Sequence, residues 1–259
     1  MCLDVLICTI DQGILRVPQV ILPPQEGVRW VVSMQYTDGQ FLDVVPQELT
    51  ERKDITLTCI EGKGLCRNRN NAIQHASGDI LLVADDDCQY TAEALDTVIK
   101  TYELNPSADI ILFQSNLEKY FPERPTLYQK AFQDGYYPSS VEMSFRKGLG
   151  LRFDERFGLG SEHLSAGEES VFLKDAENAQ YSIVCIPKRI VTTPHSYVTD
   201  NLLTDKQLQR TKGATFRYLF GTFEAIWRCI RETGYHTIHS HVNPIPLLYN
   251  LLRGIWILR

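Results

Sequence analysis

What the sequence lacks narrows its function first. It has no surplus of positive charge: 26 Lys and Arg stand against 32 Asp and Glu, a net of -6, which is the wrong sign for a protein that must neutralise nucleic-acid phosphates. No apolar run reaches the roughly 20 residues needed to span a bilayer. Met1 runs straight into an apolar strand without a basic leader or a cleavage site, so secretion is not expected. The seven cysteines are odd in number and show no paired spacing. Cys8, Cys59 and Cys185, set in apolar segments, are expected to be small buried hydrophobes in a reducing compartment. There is no internal repeat, low-complexity segment or linker that would separate independent domains, and 259 residues suffice for one large domain or one domain with an appendage. Gly62-Lys63-Gly64 lacks the Walker spacing and the Ser/Thr that would follow it, which excludes a P-loop.

What is present is organised around one stretch. Ile80-Leu81-Leu82-Val83-Ala84 reads as a buried parallel strand and ends in three carboxylates, Asp85, Asp86 and Asp87, which a core cannot accept unpaired. In an α/β sheet the carboxyl ends of the strands face the ligand crevice, so such acids stand where a divalent cation and an anionic substrate would be held. Read alone, the triplet is equally an acidic turn before a helix capped by Thr91. The rest of the chain alternates strands and helices. Strands are expected at Leu3–Cys8, Arg29–Met34, Asp54–Ile60, Asp109–Phe113, Val141–Phe145 and Tyr181–Ile186, and helices at about Leu65–Ala76, Ala92–Leu104 and from Glu168 to about Ala176. That order predicts an α/β fold with a mostly parallel sheet flanked by helices. Glu118–Tyr137, rich in proline and aromatics, reads as an irregular surface excursion.

The run Gly64-Leu65-Cys66-Arg67-Asn68-Arg69-Asn70-Asn71-Ala72-Ile73, then Ala76-Ser77-Gly78-Asp79-Ile80, the acid triplet, Gly167-Glu168-Glu169 and a late His195 together resemble a family-two glycosyltransferase of the GT-A fold. The resemblance covers about the first 200 residues and implies sugar transfer from a nucleotide-sugar donor with inversion. It assigns Asp85 to the nucleotide ribose, Asp86 or Asp87 to a Mn²⁺ or Mg²⁺ ion carried with the diphosphate, and His195 to a third metal ligand; for a lone histidine, a hydrogen-bonded loop residue is the competing reading. Arg69 is implied near the pyrophosphate or pinning the acidic loop. Thr9, Asp11, Gln35 and Asp38 fall at the ends of the first two strands, where the base should sit. Glu169, with Glu168 beside it, matches the general base that deprotonates the acceptor hydroxyl, although two acids at a helix start also simply complement its dipole. The usual Asp-Asp-Gly-Ser after strand two is missing, and Gln35 stands in for the acid that reads uracil. A UDP-sugar remains the favoured donor, with a saccharide or lipid-linked saccharide as acceptor in surface polysaccharide or glycolipid assembly. The rival readings are nucleotidyl transfer, for which the Gly-rich Arg-bearing loop after strand one is missing, and a non-catalytic nucleotide- or sugar-binding module. The processive Gln-x-x-Arg-Trp motif is also absent, which implies addition of single sugars.

The tail differs in character. Residues 205–259 carry eight Lys/Arg against three acids, a net of +5, leaving -11 for residues 1–204. Catalytic domain (1–204) and basic, apolar helical extension (205–259) are therefore separate expectations. Phe216, Leu219, Phe220, Phe223, Ile226, Trp227 and Ile230 recur at helical spacing, with Gly234 as the expected stop. The stripe either touches the inner face of a membrane peripherally, with Trp227 or Trp256 at the interface, or packs on the catalytic domain. A cytoplasmic protein is expected in both cases. His236, His239 and His241 lack a further ligand at metal spacing and read as a polar loop.

Overall fold

A computed structural model describes residues 1–194 and 201–258. In chain order the elements are β1 (Leu3–Ile10), α1 (Val17–Val20), β2 (Val28–Tyr36), α2 (Glu48–Glu51), β3 (Ile55–Glu61), α3 (Leu65–His75), β4 (Ile80–Asp85), α4 (Ala92–Leu104), β5 (Ile110–Ser115), β6 (Thr126–Leu127), α5 (Tyr128–Gln133), β7 (Met143–Arg146), α6 (Glu168–Asn178), β8 (Ile183–Val191), α7 (Lys206–Ser240) and α8 (Pro244–Ile255). The chain divides into two compact units. One holds residues 1–63, 67–152 and 175–195, and the other holds 64–66, 153–174 and 196–259. The loop and helix start at 153–174 thus group with the C-terminal helices.

Among the described residues, eight strands lie in the first unit, in the order β3-β2-β1-β4-β7-β5-β8-β6. β1, β2, β3 and β4 are mutually parallel, as are β5 and β8, while β7 and β6 run antiparallel. β1 and β4 are almost wholly buried, which their mainly apolar sequences favour, since a sheet covered on both faces has no polar side; the polar exceptions in β1, Asp4 and Thr9, are hydrogen-bonded. Strand order turns between β1 and β4: β2 and β3 build outward on one side and β4 on the other. That is the switch point where ligands bind in such sheets.

At the opposite ends of these strands the buried Asp4 fixes the start of β4. Its carboxylate accepts from Arg29 Nε (2.9 Å), Ser77 N (2.6 Å) and Gly78 N (2.7 Å). A Cβ on Gly78 would sit 2.7 Å from Asp4 Oδ1, so the turn requires glycine. The excursion after β5 is more ordered than its composition predicts. It forms β6 and α5, buries Tyr128, Ala131 and Tyr136, and is tied down by the fully buried Glu142, which accepts from Ser115 Oγ (2.7 Å), Lys119 Nζ (2.7 Å) and Tyr136 OH (2.8 Å). These donors compensate the cost of burying the carboxylate. Cys59 is exposed, contrary to expectation. All seven cysteines are free, and burial pushes the Cys8, Cys88, Cys185 and Cys229 thiols up to about 12.

In the second unit, Gly234 does not end α7. The helix continues to Ser240 and stops where His241 turns left-handed (φ 54°). The break falls instead at Gly221 (φ 77°, ψ 176°), a backbone state that favours glycine. The two halves of α7 are linked by an ion pair between Lys212 and Glu232, and His236 Nε2 lies 3.1 Å from Glu232. The histidine cluster thus belongs to the end of a helix rather than to a loop. α8 is amphipathic. Leu247, Leu251 and Ile255 pack with Ala225 and Cys229, and a buried Asn250 donates to Gln209 Oε1 (2.8 Å). Cβ atoms added at Gly213 or Gly254 would overlap the carbonyls of Leu251 and Arg210, so α7 and α8 cross with their backbones in contact.

Candidate active site

The carboxyl ends of β1, β2 and β4 assemble the first group of candidates. Cys8 is level with Asp85, and Ile10 with Gln35, so Thr9, Asp11, Gln35 and the acid triplet come from adjacent strand ends. Three asparagine and serine side chains lock this edge to α3. Asn68 accepts from Ser33 Oγ (2.5 Å) and donates to the Thr9 carbonyl (2.9 Å), while Asn71 donates to Ser33 Oγ (2.8 Å). Asp11 accepts from both Thr37 N (2.7 Å) and Thr37 Oγ1 (2.9 Å), fastening the β1 loop to the β2 turn. Asp38 accepts from Gln40 N (3.0 Å) and caps that turn. Gln35 is buried, and its Nε2 has no partner among the described residues, a donor that a ligand carbonyl would satisfy.

The three acids have three different environments. Asp85 receives the buried Arg69, whose Nη2 lies 3.4 Å from Asp85 Oδ1 and donates to Ser140 Oγ at 2.7 Å. Arg69 therefore pins the acidic strand end. Asp86 is buried and already engaged: Arg16 Nη2 donates to Oδ1 at 2.7 Å and Thr9 Oγ1 to Oδ2. Gly13 lies directly against Asp86 and Thr9, leaving no room for a Cβ. Asp87 is exposed, and no salt bridge among the described residues reaches it. Partial desolvation by the surrounding strand end, followed by the charges of Asp85 and Asp86, raises the pKa of this surface carboxylate above the ordinary aspartate value, which Arg16 partly offsets. It lines a cavity of about 200 Å³ with Gln89, Thr192, Thr193 and Pro194. That end of β8 is held in place by paired backbone hydrogen bonds between Gln89 and Thr192 (2.8 and 3.0 Å) and by Asn116, which bonds both Thr193 N and O. His195, the expected third ligand, lies outside the described residues.

Among the described residues no three His, Cys, Asp or Glu side chains converge on a metal position. The donor set nevertheless fits a hard cation that arrives with a substrate diphosphate, since Mg²⁺ and Mn²⁺ in such sites take only one or two protein carboxylates. Asp86 accepts from Arg16 and Thr9, whereas no salt bridge among the described residues reaches Asp87.

In the second unit, α6 begins at Glu168 after Gly167, whose φ of +89° and closeness to Thr215 Oγ1 (2.5 Å from an added Cβ) demand glycine. Glu168 is buried against Gly158, where a Cβ would lie 3.4 Å from its Cδ. Glu169 is half-buried. Phe157 is buried in the core, set edge-on to Tyr218 at 5.8 Å. Tyr137 is exposed. A larger cavity, about 360 Å³, opens between the 154–164 loop and Ile257 and Leu258, but it contains none of the candidate residues. Arg16, Asn68, Asn71 and Ser140 are the supporting residues that sequence reasoning missed. Only the asparagines left a trace, as the polar face of α3.

This geometry defines the class first: a mixed α/β sheet with acids at its switch point, the GT-A type of fold. Solved glycosyltransferases share it. S. aureus TarS 1-349 superposes with a TM-score of 0.58 at 14% identity, over 98% of this chain and 90% of that one. Mannosyltransferase PcManGT from Pyrobaculum calidifontis, solved with GDP-Man and Mn²⁺, gives 0.56 at 14% identity over 98% and 70%. Residues 47–158 match the model for glycosyl transferase family 2, a segment that contains Arg69 and the whole acid triplet, so the resemblance to that family holds. A curated relative, the glucosyl-dolichyl phosphate glucuronosyltransferase of Haloferax volcanii, is 27% identical over 93 residues, 36% of this chain and 29% of the relative. The match thus spans less than a third of that protein.

Proposed function

We propose that this protein is an inverting glycosyltransferase that moves a single sugar from a nucleotide-diphosphate sugar, a UDP-sugar by preference, to an acceptor hydroxyl. The observation that carries the reading is the division of labour within the acid triplet: Asp85 pinned by Arg69, Asp86 held by Arg16 and Thr9, and Asp87 left facing a cavity at the switch point. Solved relatives of this fold bind UDP-GlcNAc and GDP-Man, which supports a nucleotide-sugar donor. In this reading Thr9, Asp11, Gln35 and Asp38 bound the base and Asp85 meets the ribose. Asp87, with His195 as a further candidate, holds the divalent cation, which when bound offsets charge developing on the departing diphosphate.

Glu169 is proposed as the general base. It takes the proton from the acceptor O–H as that oxygen attacks the anomeric carbon from the face opposite the diphosphate. The new C–O bond forms as the bond to the diphosphate breaks, and configuration inverts. Glu168, buried against Gly158, is better suited to support the helix start than to exchange protons with substrate. The acceptor we favour is a saccharide or lipid-linked saccharide in surface polysaccharide or glycolipid assembly at the cytoplasmic face of a membrane.

The test is a thermal-shift screen of nucleoside diphosphates and nucleotide sugars with Mn²⁺, Mg²⁺ or EDTA, since ligands that bind the native state raise the midpoint by mass action. A metal-dependent shift with one nucleotide identifies the donor class. Absence of any shift in folded protein would overturn the donor-binding reading.

A further inference from the structure

The second half of α7 presents an apolar face that nothing among the described residues covers. Phe223, Trp227, Ile230 and Ile238 are 91%, 55%, 46% and 71% exposed. Their spacing of four, three and eight residues places them on one stripe of a helix. Ala225, Cys229 and Thr233 point the other way, into the packed interface with α8. The face therefore is not the packing side turned outward; the helix already has its core side filled. At the start of α8, Ile245 and Tyr249 are likewise exposed, and Trp256 follows the helix end. No helix among the described residues is long and apolar enough to cross a membrane, so this is a surface feature and not a span.

Charge decides what covers it. Arginines sit against the aromatic rings: Arg228 Cζ is 3.7 Å from the Phe220 ring centre, Arg253 5.8 Å from Tyr249 and Arg217 5.9 Å from Trp256. In such a seat the aliphatic stem lies along apolar surface and the guanidinium stays at its rim. The nearby acids are already neutralised, Glu224 by Arg228 at 3.0 Å and Glu232 by Lys212. Arg231 is exposed on the edge of the stripe. A second copy meeting this face would bring arginine against arginine, which complementary protein interfaces avoid. A sheet of lipid phosphates over hydrocarbon offers both things the face requires, anions at the rim and an apolar layer beneath.

We infer that the Phe223–Ile238 face of α7 is a peripheral docking surface for an anionic lipid bilayer, the helix lying in the interface plane with Phe223 and Trp227 inserted and Arg231 at its edge on lipid phosphate. This inference does not rest on the sugar-transfer reading, and its test measures no transfer.

The full chain is co-sedimented with phosphatidylcholine vesicles and with vesicles that also contain phosphatidylglycerol, at low and high salt. Binding is expected to the anionic vesicles, weaker at high salt. Phe223→Ser with Trp227→Ser should lower the partition coefficient at least about tenfold, the value of keeping one large apolar side chain out of hydrocarbon. Arg231→Glu should lower it by more than the roughly fivefold worth of a single surface cation, because the charge is reversed. All three positions are exposed, and circular dichroism with thermal melting verifies that the variants are folded. Wild-type protein left in the supernatant with anionic vesicles would overturn the inference. So would full retention of binding by the double serine variant, or a dimer in solution that the same variant dissociates.

Discussion

Gly13→Ala tests whether the clasp on Asp86 is as tight as described. The methyl group would enter the space held by Thr9 Oγ1 and Asp86 Oδ2, and the cheapest relief is for those two side chains to part. A hydrogen bond to a charged group contributes about 1.5–3 kcal/mol. Gly13 has no positive φ, so alanine brings no backbone strain and regains about 0.4–1 kcal/mol by restricting the unfolded chain. The net cost is about 1–2 kcal/mol, or roughly 2–8 °C in Tm for a protein of this size. Urea denaturation followed by circular dichroism measures it. The decisive arm is a double-mutant cycle with Thr9→Val. Once the hydroxyl is gone, the penalty of Gly13→Ala should shrink by about 1 kcal/mol, the coupling expected of residues in contact. A neutral or stabilising Gly13→Ala, or a cost that Thr9→Val leaves unchanged, would refute the clasp and return Asp86 to the pool of free metal ligands.

Other outcomes follow from the same geometry. Asp87→Asn should abolish the divalent-dependent thermal shift with nucleotide. Without metal it should raise Tm at neutral pH, because the raised pKa of Asp87 means its charge opposes folding. That cost is absent below the ordinary aspartate value of 3.8 and sets in as pH climbs through the raised one, so melting the wild type and the variant across pH should show curves that merge in acid. Glu169→Gln should leave the donor-induced shift intact while slowing transfer by about 10²–10⁴-fold; retained turnover in a radiolabel assay would move the base elsewhere, with Glu168 the next to test. Gly254→Ala forces a methyl against the Arg210 carbonyl, backbone on backbone, and should cost about 1–3 kcal/mol in urea titration, a neutral result arguing against the tight α7–α8 crossing.

The elements legible in the sequence were those whose reason is local. β4 is an unbroken apolar run up to its acids, β1 and β2 are mostly apolar, α3 has helical periodicity, and the acids at the end of β4 announce an edge. What could not be read depends on partners far along the chain. Arg16 reaches Asp86 across 70 residues, so spacing within Asp85–Asp87 gave no hint that the middle carboxylate was already taken. Gly221 and Gly234 look alike inside an amphipathic pattern; only the first adopts a non-helical backbone, and the second is an exposed helical position. The excursion before β7 read as irregular because its order comes from Glu142, a single buried carboxylate whose donors, Ser115, Lys119, Tyr136 and the Ser139 amide, all come from earlier in the chain, Ser115 from 27 residues before it.

The position of β7 carries a consequence for how the chain is made. β4 and β5 are consecutive parallel-sheet strands, yet they do not pair with each other; β7, residues 143–146, lies antiparallel between them. During synthesis β4 must therefore wait, one edge open, until some 60 further residues have been added. At about 5–20 residues per second that is an interval of several seconds or more. An open apolar strand edge is a template for wrong pairing, so the sheet's most aggregation-prone moment falls before the excursion between β5 and β7 has folded. Variants that delay burial of Glu142 should show first in the yield of nascent protein, ahead of any defect in the finished fold.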